Sequence, residues 1–152
     1  ARCCRGGAGG EEAEAARLSA LAATSKERGN EAFKRGEFVK AAAQYSMAIK
    51  LGGGTAVLHS NRSAARAGAT QWEGALEDAD RAVALDAGWP KGHCRRGAAL
   101  VGLGQAGEAL KAYKAALAID PAYPPAKQGI ADAKAAIKAH EQRYQDMWGS
   151  KA

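Results

Sequence analysis

The sequence predicts an all-α protein, a solenoid of three helix-turn-helix repeats closed by a C-terminal capping helix. Three observations lead to this fold class. Alanine, the strongest helix former, accounts for 39 of the 152 residues, whereas aromatic residues reach only 6%. The sequence repeats with a period of 34 residues, which defines three blocks, 22–55, 56–89 and 90–123. Small and large residues recur at fixed positions of these blocks, as the stacking of repeats requires.

Each block is predicted to form a helix A, a turn and a helix B. Alanine stands at block positions 20 and 27 in all three blocks, so the paired helices can approach closely. The predicted A helices cover 22–35, 56–68 and 90–103, and the predicted B helices cover 38–51, 72–85 and 106–119. The glycines expected in the turns between them are Gly36, Gly68 and Gly104.

The segments outside the repeats are assigned from their local patterns. Residues 1–10 are expected to form a disordered leader, and residues 11–21 to extend the first helix backwards. Apolar residues follow a helical period over 124–147, so this segment is predicted to be a seventh helix that covers the open end of the solenoid. Residues 148–152 are left as a tail.

Charge and composition argue against several classes of protein. The net charge is +6, but it is spread thinly, without the basic clusters and interleaved aromatics of a nucleic-acid-binding protein. No apolar run approaches the ~20 residues of a membrane helix. Neither nucleic acid nor a membrane is therefore an expected partner, although the mild positive field favours anionic ligands.

The reactive side chains do not form a catalytic pattern. The three cysteines (Cys3, Cys4 and Cys94) suit neither a disulfide framework nor a metal site, and they indicate a reducing compartment. The sequence shows no nucleophile beside a base, no paired acids and no metal-ligand spacing. The chain is therefore expected not to be an enzyme, and no cofactor and no metal are predicted.

Cationic and amide side chains collect on one face of the A helices. Block positions 2, 5, 6 and 9 share one face of each predicted A helix. This stripe holds three cations, two carboxamides and one acid, a combination suited to binding carboxylates. Its charged and amide members are Lys26, Glu27, Asn30, Asn61, Lys91 and Arg95.

The segments KERGNEAF, VLHSNRSAA and WPKGHCRRGAAL resemble the di-carboxylate-clamp tetratricopeptide-repeat (TPR) domains of heat-shock co-chaperones. Over 56–135 the chain is most similar to the first TPR domain of the stress-inducible Hsp-organising co-chaperones. The resemblance implies five clamp residues for a peptide carboxylate: Lys26, Asn30, Asn61, Lys91 and Arg95. It also implies the ligand, the C-terminal Glu-Glu-Val-Asp of the seventy- and ninety-kilodalton cytosolic chaperones. Phe33 and Ala64, one turn beyond the asparagines, are expected to form an apolar pocket for the valine.

The predicted function is a monomeric co-chaperone adaptor in the cytoplasm, with the nucleus as a second location. Three alternatives stay open from the sequence. The chain lacks an initiating Met, as expected of a fragment, so it could be the targeting domain of a phosphatase, ubiquitin ligase or prolyl isomerase. It could also be a generic TPR scaffold for an internal peptide, or a solenoid that uses its +6 charge to bind RNA. Which chaperone is preferred is not encoded in any motif.

Overall fold

The computed structural model describes residues 8–149, and this part of the chain is helical apart from short turns. Its helices are α1 (Ala8–Lys34), α2 (Phe38–Gly52), α3 (Ala56–Gly68), α4 (Trp72–Leu85), α5 (Pro90–Gly102), α6 (Ala106–Ile119) and α7 (Pro124–Trp148). The predicted fold class, an all-α solenoid with a capping helix, is confirmed. The predicted helices agree with these bounds to within one residue, except at the start of α1.

The start of α1 corrects one expectation. Residues 8–10 are helical, whereas the sequence predicted disorder throughout 1–10; residues 1–7 lie outside the described part of the chain. Helix formation is costly to nucleate but cheap to extend, so the helix-prone segment 11–21 carries the helix backwards. Glu11 in the first turn adds to this, because a negative charge favours the N-terminal end of a helix.

The helices pack as three consecutive pairs with a final helix at one end. α1 packs on α2, α3 on α4, and α5 on α6, and each pair also packs on the next one along the chain. The odd-numbered helices form a row, since α3 contacts α5 and α5 contacts α7. One side of the solenoid is therefore lined by α1, α3, α5 and α7, and this side is called the groove. α7 covers the apolar faces of α5 and α6.

Alanine at two repeat positions sets the spacing of the helices. All six alanines of block positions 20 and 27 are completely buried, with 0% of their surface exposed. They are Ala41, Ala48, Ala75, Ala82, Ala109 and Ala116. A methyl group is the largest side chain that these contacts hold, because interiors are packed too tightly to admit further atoms without displacement.

The turns between the paired helices differ in one repeat from the sequence expectation. Gly36 and Gly104 have φ of 76°, a left-handed conformation that glycine adopts without strain. In the second repeat the equivalent residue is Thr70, with φ of 60°, whereas Gly68 is still the last residue of α3. Gly68 is small for another reason, since a Cβ there would lie 2.6 Å from the ring of Phe38.

A buried polar cluster lies between two apolar clusters. One apolar cluster joins α1, α2 and α3, and the other joins α5, α6 and α7 with one residue of α4. Between them, Asp78 of α4 is fully buried and binds three basic side chains of α3: His59, Arg62 and Arg66. Arg62 also donates from Nη1 to Ser46 Oγ of α2 at 2.9 Å. The middle repeat is thus held partly by charge.

Gly97→Ala is expected to lower the free energy of unfolding by about 1–3 kcal/mol, because the added methyl group overpacks the interface. Its Cβ would lie 2.6 Å from Cζ of Tyr113, a buried ring that also packs against Gly129. Gly107→Ala is the matched control, because nothing lies within 4 Å of a Cβ at that helical position. The control should gain about 0.5–1 kcal/mol from helix propensity. Urea denaturation followed by circular dichroism measures the free energy of unfolding of both variants. A change of the same sign in the two variants would contradict the prediction.

Candidate functional site

A cavity of about 250 Å³ lies between α1, α3 and α5 on the groove side of the solenoid. Its walls bring together six of the seven residues predicted to bind the peptide: Asn30, Phe33, Asn61, Ala64, Lys91 and Arg95. Two further residues line it, Lys34 and Tyr45. The seventh predicted residue, Lys26, is exposed one turn before Asn30 on α1 and does not line the cavity.

Helical spacing explains how these side chains meet. Asn30, Phe33 and Lys34 follow one another at i, i+3 and i+4 on α1, and Asn61 precedes Ala64 by three residues on α3. On α5, Pro90 occupies the first turn, where its missing N–H costs nothing. Lys91 and Arg95 then stand four residues apart on one face.

The two cations of α5 that line the cavity, Lys91 and Arg95, are partly buried, and among residues 8–149 neither has an acidic partner. Burial lowers the pKa of Arg95, and both burial and the neighbouring Arg95 charge lower the pKa of Lys91. Within residues 8–149, neither side chain forms an ion pair, and Arg95 Nε is buried without a hydrogen-bond partner. Lys91 Nζ lies 5.9 Å from the centroid of the Trp89 ring. An anion entering the cavity would supply the missing partner.

Tyr45 of α2 lines the cavity but was not among the residues predicted to bind the peptide. Its ring is 2% exposed, and its hydroxyl donates to Asn30 Oδ1 at 2.7 Å. Tyrosine at block position 24 and asparagine at position 9 occur together only in the first block, so no repeated pattern marks this pair. The bond fixes one side of the Asn30 amide to the scaffold.

Lys34 was also missed, although it stands four residues after Asn30 on the same helix face. It is 72% exposed and forms an i,i+3 ion pair with Glu31 at 3.4 Å. Such an exposed pair holds its partners weakly. Lys34 therefore adds positive charge to the rim of the cavity.

The groove continues towards α7 as a second cavity of about 330 Å³, and Lys91 and Arg95 line both cavities. Cys94 lies in this second part, where burial raises the pKa of its thiol to about 11. At neutral pH the group is therefore a thiol rather than the nucleophilic thiolate.

The described residues contain no group of three or more His, Cys, Asp or Glu side chains placed to hold a metal. No helix among them has the length and apolar character to cross a membrane.

The fold and the cavity define a helical-repeat protein with a cationic groove. A tetratricopeptide-repeat family model matches residues 90–123, the third block of the sequence. The Arabidopsis OM64 TPR domain has the same fold, with a TM-score of 0.73 and 31% identity over 77% of this chain and 97% of that domain. The chain belongs to the tetratricopeptide-repeat family.

Two further solved TPR domains of similar fold contain chaperone peptides. The first TPR of Spaghetti (RPAP3) is bound to the HSP90 peptide SRMEEVD; its TM-score is 0.72 at 31% identity, covering 79% of this chain and 98% of that one. The second TPR domain of human RPAP3 is in complex with the HSP70 peptide SGPTIEEVD; its TM-score is 0.71 at 29% identity, with the same shares covered.

Curated relatives match a shorter stretch of the chain. The Hsp70-Hsp90 organizing protein of Triticum aestivum is 46% identical over 65 residues, or 43% of this chain. Stress-induced-phosphoprotein 1 of Caenorhabditis elegans is 38% identical over 66 residues, also 43% of this chain. The chain spans only 11% and 21% of these two proteins.

Proposed function

We propose that this chain is a non-catalytic adaptor module that binds the C-terminal Glu-Glu-Val-Asp tail of cytosolic heat-shock chaperones. The observation that carries the proposal is the cavity in which Lys91 and Arg95 lie partly buried beside the two asparagines, with no acidic partner among residues 8–149. Neutral amides and unpaired cations at one point favour a ligand with several carboxylate oxygens. The cytoplasm follows as the proposed site of action.

A C-terminal aspartate fits this cavity because it carries two carboxylates on neighbouring carbons. Lys91 would supply a point charge, and Asn30 and Asn61 would supply oriented N–H donors. Arg95 would reach a carbonyl or a glutamate side chain further upstream. Lys26, outside the cavity wall, would add a charge at its entrance.

The valine before the aspartate would pack on the apolar part of the same wall. Phe33 and Ala64 lie in the cavity lining, one helical turn beyond Asn30 and Asn61. Their separation from the asparagines by a single turn matches a peptide whose apolar residue directly precedes its charged terminus. Ordering a flexible peptide cancels most of the gain, so we expect a Kd near ~1 μM.

The relatives support the same ligand. Two TPR domains that share the fold at 29% and 31% identity bind peptides ending in EEVD, one from HSP70 and one from HSP90. The curated relatives carry Hsp70-Hsp90 organizing protein and Stress-induced-phosphoprotein 1 as their names. Because those proteins are far longer than this chain, the proposal concerns the module. Joined to another domain, the same module would bring that domain to a chaperone.

The free C-terminal carboxylate is expected to decide binding. Calorimetric titration with a peptide ending in Glu-Glu-Val-Asp should give ~1 μM affinity, and the same peptide amidated at its C terminus should bind about 10- to 100-fold more weakly. Amidation removes the charge and one acceptor oxygen while leaving every side chain in place. Equal affinities for the two peptides, or no binding of either, would refute the proposed ligand and leave the chain a TPR scaffold whose ligand is not known. Binding of RNA with a steep salt dependence would instead support the nucleic-acid alternative.

A further inference from the structure

Tyr45 joins the buried scaffold of the first repeat to the groove. Its ring packs against the backbone of Gly29, where a Cβ would lie 2.7 Å from the ring Cε1. Gly29 is thus the residue that lets the tyrosine reach across from α2 to α1. The hydroxyl at the far end of the ring donates to Oδ1 of Asn30, the next residue along α1.

This hydrogen bond determines what Asn30 offers to a ligand. A carboxamide has one acceptor oxygen and two N–H donors. With Oδ1 accepting from the tyrosine, the polar group of Asn30 left for a ligand is its NH2, which carries two donors. A flipped amide would present its oxygen to the ligand and leave the Tyr45 hydroxyl without its acceptor, which is costly for a buried group.

The surrounding charge favours the same arrangement. The positive charge of Arg95 acts on the Tyr45 hydroxyl, whereas burial raises the pKa of that hydroxyl and keeps it protonated. A nearby cation attracts the phenolic oxygen and repels its proton. This agrees with the observed bond, in which the Tyr45 hydroxyl donates its proton to Asn30 Oδ1.

We infer that Tyr45 is a positioning residue, which fixes the Asn30 amide as a pure donor and so makes the cavity select a carboxylate over an amide. The inference rests on the proposed function. Tyr45 stays beneath Asn30 as part of the scaffold, and its effect on the ligand passes through the Asn30 amide.

The third repeat supplies a matched control within the same chain. Tyr113 occupies the same block position, is 6% exposed, and packs on Gly97 as Tyr45 packs on Gly29. Ala98 stands where the first repeat has Asn30, and within the described part of the chain no hydrogen bond joins the Tyr113 hydroxyl to another residue. Both tyrosines therefore pack on a glycine of the preceding A helix, and within the described residues only Tyr45 makes the hydrogen bond; Tyr113 also packs on Gly129 of α7.

Tyr45→Phe and Tyr113→Phe separate the bond from the packing. Calorimetric titration with the free-acid Glu-Glu-Val-Asp peptide should show about fivefold weaker binding for Tyr45→Phe and less than about twofold change for Tyr113→Phe. The preference of Tyr45→Phe for the free acid over the amidated peptide should shrink by a similar factor. In an Asn30→Ala background, adding Tyr45→Phe should change affinity by less than about twofold, because the group that the tyrosine positions is gone.

The outcomes separate this inference from the proposed function. Wild-type affinity and wild-type carboxylate preference in Tyr45→Phe would overturn the positioning role while leaving the binding of the tail intact. Equal losses in both tyrosine variants would also overturn it, because packing alone would then explain the effect. A wild-type chain that does not distinguish the free acid from the amide would refute the proposed function and the inference together.

Discussion

Asp78→Ala is expected to lower the free energy of unfolding by about 3–5 kcal/mol, because it leaves a buried guanidinium without its partner. Arg62 Nε and Nη2 contact the two Asp78 oxygens at 2.8 and 2.7 Å, with the arginine 10% and the aspartate 1% exposed. Arg66 Nη1 adds a third contact at 2.9 Å. Domains of this size are stable by about 5–15 kcal/mol, so the variant should be close to its unfolding limit at 25 °C.

Asp80→Ala is the matched control for this prediction. Asp80 lies two residues further along α4 and pairs with Arg96 at 2.8 Å, but both side chains are about half exposed. Loss of such a surface pair should cost less than about 1 kcal/mol. Urea denaturation monitored by circular dichroism compares the two variants directly. Similar losses in both would mean that burial does not amplify the Asp78 interactions.

Arg95→Ala is expected to weaken binding of the free-acid Glu-Glu-Val-Asp peptide by about 10- to 100-fold, as loss of a charge-assisted hydrogen bond should. The neighbouring Arg96→Ala removes the same charge from the chain, but from a side chain that pairs with Asp80 outside the cavity. It should change affinity by less than about twofold. Calorimetric titration of both variants tests the comparison.

The stability of Arg95→Ala distinguishes a binding defect from a folding defect. The guanidinium forms no ion pair among residues 8–149, and burial lowers its pKa, so the folded chain gains little from its charge. The free energy of unfolding of the ligand-free protein should therefore stay within about 1 kcal/mol of the wild type. Undiminished binding by Arg95→Ala would remove this residue from the proposed clamp.

The helices could be predicted because three copies of one pattern report on the same structure. Alanine at positions 20 and 27 marks contacts that the structure buries completely, and the A-helix stripe places Asn61 and Arg95 on the cavity wall. Three copies of the pattern reduce the ambiguity at any single position, which is why the predicted helix ends between residues 34 and 119 were accurate to within one residue. Residues 8–10 escaped prediction because they lie outside the repeats and two of the three are glycine, a weak helix former.

Interactions found in a single repeat were not predictable in the same way. Asp78 is matched by Gln44 and Ala112 in the other blocks, so nothing periodic marks its cluster. The bond from Tyr45 to Asn30 likewise occurs in one repeat and joins a residue of α2 to a residue of α1. Both arise from contacts across helices, which a pattern along the chain does not encode.

The six alanines of block positions 20 and 27 and all but one of the cavity-lining residues lie on different helices, which affects how the sequence can change during evolution. The alanines lie on the even-numbered helices and tolerate little substitution, whereas most of the ligand-facing positions lie on the odd-numbered ones. Descendants could therefore exchange one ligand for another without rebuilding the architecture. Tyr45 is the exception, because it lines the cavity and lies on the even-numbered helix α2. A designer who gives this scaffold a new ligand specificity therefore has to treat Tyr45 as part of the packed scaffold and as part of the binding site.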